Sequence, residues 1–176
     1  MRADARRNRD LIVATAVELF TGRGPGVSME EIARAAGLGV GTLYRHFPDR
    51  QALLEEIAVD SLRRLLTTGR ELTAQGLPGW QVLRLLMERC VELPLSLTKS
   101  LAGVPTAHPE LPALTGDMDA LLRRIAEQAQ REGAMRPDIP PGEVVGLLNV
   151  AVCRPGARAD DPLTTVILDG LRAAPA

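Results

Sequence analysis

"GLGVGTLYRHFPDR", residues 37–50, gathers Tyr44, His46 and Phe47 beside Arg45 and Arg50, in a chain with one Trp, one Tyr and two Phe in all. Pro48 closes the stretch, and its ring both ends a helix and biases Phe47 away from helical geometry. "VGTLYRHF" is therefore expected to be a short helix. At about 100° per residue, Val40, Leu43 and Phe47 fall on one stripe, expected to pack inward. Gly41, Thr42 and Arg45 lie opposite, with Tyr44 and His46 on the flanks. The aromatics thus split between a local core and a surface that could meet a ligand.

Upstream, "SMEEIARAAG" (28–37) predicts a helix. Ser28 can cap it, and Glu31 three residues on completes a capping box. Ile32, Ala33 and Ala36 give it a narrow apolar face, and Gly37 ends it. "RRNRDLIVATAVELFTGRG" (6–24) predicts an earlier helix with Leu11 or Ile12, Ala16, Leu19 and Phe20 inward, stopped by Gly22, Gly24 and Pro25. Downstream, Asp49 can cap a long helix whose face carries Leu53, Ile57, Leu62 and Leu65 or Leu66. A short brace, a glycine turn and a second short helix with a polar outer face make a helix-turn-helix.

The outer face suits DNA. Arg45 can donate twice to guanine O6 and N7. Thr42 can touch a thymine methyl or a phosphate, and Tyr44 and His46 can reach phosphate oxygens. Gly39 and Gly41 let the start of the helix approach the backbone closely. Arg50, at the start of the fourth helix, is expected on a flanking phosphate. The formal net charge is −1, so a nucleic-acid partner needs a local basic patch. Residues 1–50 hold eight Arg (2, 6, 7, 9, 23, 34, 45, 50) against six Asp or Glu (4, 10, 18, 30, 31, 49). Arg6 and Arg7, in an Arg-rich N-terminal arm, are expected in the minor groove or on the backbone.

"SMEEIARAAGLGVGTLYRHFPDRQALLEE" (28–56) resembles the DNA-binding segment of TetR-family transcriptional regulators. The Ile-Ala-x-x-Ala-Gly brace, the Gly-Thr-Leu-Tyr-x-His-Phe helix, the following basic residue and the Leu-Leu pair carry the likeness, over about residues 8–57. It implies that Thr42, Tyr44, His46 and Arg50 make mainly backbone contacts, and that Val40, Gly41 and Arg45 face or border the bases. Gly39 stands where the family often has Ser or Thr, and Arg50 where it usually has Lys. With Val40 and Gly41 offering almost no hydrogen bonds, base readout is expected to lean on Arg45.

The second half is also helical by period. "GLPGW" (76–80), with Gly and Pro at helix-breaking positions, is the best expected domain boundary. Helical segments follow, interrupted at Pro94 and by "AGVPTAHPELP" (102–112). Then come "LTGDMDALLRRIAEQAQREG" (114–133), with Leu121, Leu122, Ile125 and Ala129 inward, and two apolar terminal helices, "EVVGLLNVAVC" (143–153) and "PLTTVILDGLR" (162–172). Residues 77–173 resemble, more weakly, the C-terminal domains of actinobacterial-type members. That likeness implies a small-molecule pocket, and a homodimer through the last two helices. Candidate pocket residues are Trp80, Leu83, Met87, Cys90, Leu97, Met118, Leu122 and Asn149, though each reads more readily as ordinary core. Asn149, amid apolar neighbours, requires a hydrogen-bond partner.

The expectation is an all-α chain of about nine helices. A three-helix helix-turn-helix domain (1–57, motif about 28–47) is joined by the long fourth helix to a ligand-binding and dimerisation domain (58–176). At 176 residues and 45% hydrophobic, the chain can bury a core. Cys90 and Cys153 lack CxxC spacing and read as buried free thiols, and His46 and His108 stand apart from them, so no metal site or cofactor is expected. No nucleophile–base pair or paired carboxylates suggest an enzyme. No apolar run is long enough to span a membrane, and no signal core follows the basic N-terminus, so the cytoplasm is the expected location. The function read from this is a homodimeric repressor of a palindromic operator, released by an unknown ligand. The alternative is a small-molecule-binding protein or co-regulator on the same scaffold that binds no operator.

Overall fold

The computed structural model describes residues 2–92, 106–154 and 157–173. Among them lie eight helices: α1 (Arg2–Arg23), α2 (Met29–Ala35), α3 (Val40–His46), α4 (Arg50–Ala74), α5 (Gly79–Glu92), α6 (Leu111–Arg131), α7 (Pro141–Val152) and α8 (Pro162–Leu171). Pro94 and Leu97 fall outside the described residues. The all-α expectation holds; the one extended pairing described is an isolated bridge between Met135 and Arg172.

Two buried clusters organise the chain. The first joins Ile12, Ala16 and Phe20 of α1 with Val27, Met29, Ile32, Ala33, Leu43, Phe47 and the Leu53–Ile57 end of α4. Ile12 rather than Leu11 is the inward residue, since Ile12 is fully buried and Leu11 is exposed. The second cluster runs from Leu65 and Leu66 of α4 through Val82, Leu83 and Leu86 of α5 and Leu121, Ile125 and Ala129 of α6 to Val144, Leu148 and Leu171. α4 feeds both clusters. α6 packs against α4, α5 and α7, and α7 against α8.

"GLPGW" breaks the helix between α4 and α5 without separating their cores. Leu77 and Trp80 pack on the second cluster, which α4 and α5 share. A Cβ on Gly79 would stand 2.6 Å from the Ala129 amide nitrogen, so the missing side chain lets α5 lie directly on α6. The Gly79 N–H donates to Glu132 at 2.7 Å, satisfying a first-turn donor. At the far end, the Arg136 N–H donates to the Leu171 carbonyl and the Ala173 N–H to that of Ala134, tying the tail to the α6–α7 turn.

Candidate nucleic-acid interface

The brace helix α2 is built as its sequence dictates. Ser28 Oγ accepts from the Glu31 N–H (3.2 Å), and Glu31 Oε2 accepts from the Ser28 N–H (2.9 Å). The Ser28 N–H bond first, then the Ser28 side chain, holds the Glu31 carboxyl below its ordinary range. At the other end the Leu38 N–H donates to Ala33 and the Gly37 N–H to Arg34, while Gly37 takes a left-handed φ of 67°. This is a Schellman stop, which needs a residue without a Cβ at Gly37. It turns the chain sharply into Gly39, which caps α3 with no side-chain bond.

α3 is locked from below. Leu43 and Phe47 are buried in the first cluster. Phe47 has left the helix for extended backbone, φ −133° and ψ 99°. The wheel therefore does not apply to it, and the inward direction of α3 is set by Leu43 alone. Val40 sits one turn before Leu43 but about 60° round the helix, and it is 40% exposed. The expectation that Val40 packs inward is corrected: it belongs to the outer surface with Gly41, Tyr44 and Arg45, while Thr42 and His46 are half-buried.

The polar groups of this surface are engaged with one another. Arg45 folds back along its helix, its Nε donating to the Gly41 carbonyl and a terminal nitrogen to Thr42 Oγ1, both at 3.1 Å. Both are exposed contacts that a stronger acceptor can displace. The Tyr44 hydroxyl donates to Glu30 at 3.3 Å. Partial desolvation first, then the Glu30 charge, raises the Tyr44 phenol above its usual range.

Two arginines are placed differently from expectation. Arg50 does not project to a flanking phosphate. Its guanidinium donates to the carbonyls of Val27 and Pro25 and lies 4.8 Å over the Phe20 ring. It is committed to holding the α1–α2 turn on the start of α4. Arg9, which the spacing left in a general basic arm, donates to the His46 carbonyl (3.2 Å) and Glu56 (2.6 Å) and stacks 4.5 Å over Phe47. There is no extended arm among the described residues: Arg6 and Arg7 stand exposed on α1 itself, Arg7 paired with Asp4. Helix-forming Ala and Arg continue the period of α1 back to Arg2. Arg34 is exposed at the last turn of α2, a basic group that motif spacing does not single out.

The described candidate pocket residues, Asn149 apart, belong to the second cluster or its edge. Leu83, Met87 and Met118 are buried in the second cluster, with Trp80, Cys90 and Leu122 packed on it. Arg172 lies 5.5 Å over the Trp80 ring. Burial first, then neighbouring Cys153, pushes the Cys90 thiol up to about 12, which keeps it protonated. Asn149 is not packed in the second cluster: it is exposed on α7, across the outer arc from Leu147. An open cleft of about 660 Å³ lies over α4 and α5, bordered by Arg63, Arg64, Thr67, Thr68, Glu71 and Arg89; none of the described candidates borders it. Among the described residues no group of His, Cys, Asp and Glu could hold a metal, and no helix is long and apolar enough to cross a membrane.

Comparison with known proteins gives consistent likenesses. Residues 12–57 match the profile of bacterial regulatory proteins of the TetR family. Residues 81–173 match the C-terminal domain of SbtR-like transcriptional regulators. Among solved structures, a TetR transcription regulatory protein from Mycobacterium vanbaalenii is similar at 35% identity and a TM-score of 0.65, over 98% of this chain and 99% of that one. A TetR transcriptional regulator from Streptomyces coelicolor is similar at 30% identity and a TM-score of 0.62, over 95% and 99%. An HTH-type transcriptional regulator of Staphylococcus aureus is 33% identical over 89 residues, 50% of this chain and 48% of that protein. The aligned stretch thus spans about half the length of the curated relatives. The matched families are transcription regulators, not enzymes.

Proposed function

The chain belongs to the TetR family of bacterial transcriptional regulators, with a DNA-binding helix-turn-helix, and on that premise we propose that it is a homodimeric repressor of a palindromic operator, released by a small molecule. The observation that carries the reading is the division of residues 40–47: Leu43 and Phe47 are buried, while Val40, Gly41, Tyr44 and Arg45 face outward. Arg45 reads a base and Val40 and Gly41 border it; Thr42, Tyr44 and His46 meet the backbone, as Arg6 and Arg7 do from the exposed side of α1. Arg50 is left out of this set, being committed internally. The two buried clusters support reading residues 1–57 as the DNA-binding unit and 58–176 as the effector and dimerisation unit.

A dimer supplies the second recognition helix that a palindrome needs, about 34–36 Å from the first. α7 and α8 offer its surface: Leu147, Val150, Leu163 and Val166 are all exposed. Large apolar residues side by side on two packed helices suit a self-complementary four-helix contact. The effector would bind the DNA-free conformation better, which is what makes it an inducer. Its lining is proposed among Trp80, Leu83, Met87, Cys90, Met118 and Leu122, and its chemical identity is left to experiment.

The test is selection of bound duplexes from random DNA by the full chain. A palindromic consensus supports operator binding and the dimer together. No enrichment overturns the reading in favour of a small-molecule-binding protein or co-regulator.

A further inference from the structure

We propose that Glu56 of α4 is a positioning residue for operator binding, joining the segment 106–108 that precedes α6 to the end of α3 through Arg9. This rests on the regulator reading above. Arg9 uses one guanidinium nitrogen on the His46 carbonyl, at the last residue of α3, and another on Glu56 Oε2 at 2.6 Å. Its plane lies over Phe47, the residue that ends the helix. Arg9 therefore holds the C-terminal end of α3 from the side away from the exposed surface.

His108 Nε2 stands 3.4 Å from the same Glu56 Oε2, within ion-pair reach. His108 Nδ1 accepts the Glu110 N–H at 3.3 Å, which leaves the proton of a neutral ring on Nε2, facing Glu56. One carboxylate oxygen is thus shared between α1 and the start of the effector half. These side chains are 37% (Arg9), 21% (Glu56) and 17% (His108) exposed, so water only partly screens them.

Neighbouring Glu55 makes the junction rigid. It is 2% exposed and accepts the N–H groups of His108 (2.9 Å) and Ala107 (3.2 Å) as well as Gln51 Nε2 (2.9 Å). Arg63 pairs with Glu110 two turns further along α4. A shift of 106–110 therefore pulls on α4 at Glu55 and moves the His108 ring away from Glu56. Glu56 then turns fully to Arg9, and the grip of Arg9 on His46 changes. Glu55 anchors the segment, and Glu56 passes its position on.

The experiment is a mutant cycle read as affinity of the full-length protein for the selected duplex at fixed salt, with each variant's melting temperature measured alongside. Arg9→Met should weaken binding about tenfold and His108→Ala about threefold, and the double variant should be no weaker than Arg9→Met alone. In a Glu56→Gln background the effect of His108→Ala on affinity should vanish. His108→Gln, whose amide can still donate to Glu56, should bind as the unsubstituted chain does. Arg9→Lys replaces Arg9→Met if melting reveals unfolding. Independent, multiplying effects that persist in Glu56→Gln would overturn the proposal. So would a His108→Ala variant that melts lower but binds normally, since that describes a brace and not a relay. An unsubstituted chain that selects no duplex would sink the regulator reading as well; a chain that selects one but gives additive cycles sinks only this inference.

Discussion

Arg50 donates to the carbonyl oxygen of Val27, across the base of the helix-turn-helix, from the first residue of α4. The bond satisfies a carbonyl in the connection before α2, and the guanidinium also covers the Phe20 ring. An arginine fork serves two carbonyls at once, which a lysine point charge does not. Arg50→Lys is expected to cost about 1–2 kcal/mol of stability, read as a shift in the denaturant midpoint. If Arg50 instead served phosphate, the same variant would lose DNA affinity at unchanged stability.

Arg45 is poised to exchange its contacts with Gly41 and Thr42 for a base edge. Arg45→Ala should lower affinity for the selected duplex by roughly tenfold or more and relax selectivity at one base pair per half-site. Arg6→Ala, a backbone contact, should weaken all sequences alike and reduce the salt slope by about one. Retardation assays on the consensus and on a duplex changed at that pair separate the two behaviours.

The α7–α8 face makes a hydrodynamic prediction. Val166 is 66% exposed, the most exposed of the large apolar side chains on this face. Val166→Glu would bury a charge against its own copy in a two-fold contact. Sedimentation should find the unsubstituted chain dimeric and the variant largely monomeric, with operator binding lost at the same concentration. An unchanged sedimentation coefficient would move the dimer contact elsewhere.

Gly79 and Gly116 should respond oppositely to alanine. A Cβ at Gly79 meets backbone atoms of Ala129 and Ile125 at 2.6 and 2.8 Å, whereas one at Gly116 meets nothing within 4 Å. Gly79→Ala is expected to cost about 1–3 kcal/mol as α5 is pushed off α6. Gly116→Ala, inside α6, should gain about 0.5–1 kcal/mol. Thermal melts of the two variants test both signs.

Acid should destabilise the fold through a few identified carboxylates. Burial, the largest influence on Glu55, opposes ionisation, but bonds from Gln51, Ala107, Thr106 and His108 together bring its carboxyl below the ordinary range. Asp161 is held low chiefly by the Thr164 N–H, with Arg158 N–H next. A lowered folded value means that the stabilisation is complete above the unfolded value, about 4. It is lost as pH falls through the folded one. Melting temperature should be level from pH 7 to about 5 and drop below about 4. Glu55→Gln should melt lower at pH 7 and show a shallower acid decline; an identical acid profile would remove Glu55 from the account.

The amino-acid sequence by itself determined the helices and the motif. The Ser28–Glu31 box, the Gly37 stop, the Pro48 end and the Asp49 cap, which accepts the Ala52 N–H at 2.8 Å, are local chemistry within a few residues of chain. The inward sets of α1 and α6 followed from period, down to a choice between Leu11 and Ile12 that only packing resolved. What tertiary structure alone decided is where long side chains spend their charge. Arg9 reaches Glu56, 47 positions away, and Arg50 reaches Val27, 23 positions away, so no local pattern distinguishes them from arginines facing DNA. Val40 and Asn149 turned outward for a related reason. A wheel fixes angles about one helix axis, but burial depends on whether another element covers that angle at that height, and this is set by how the helices cross.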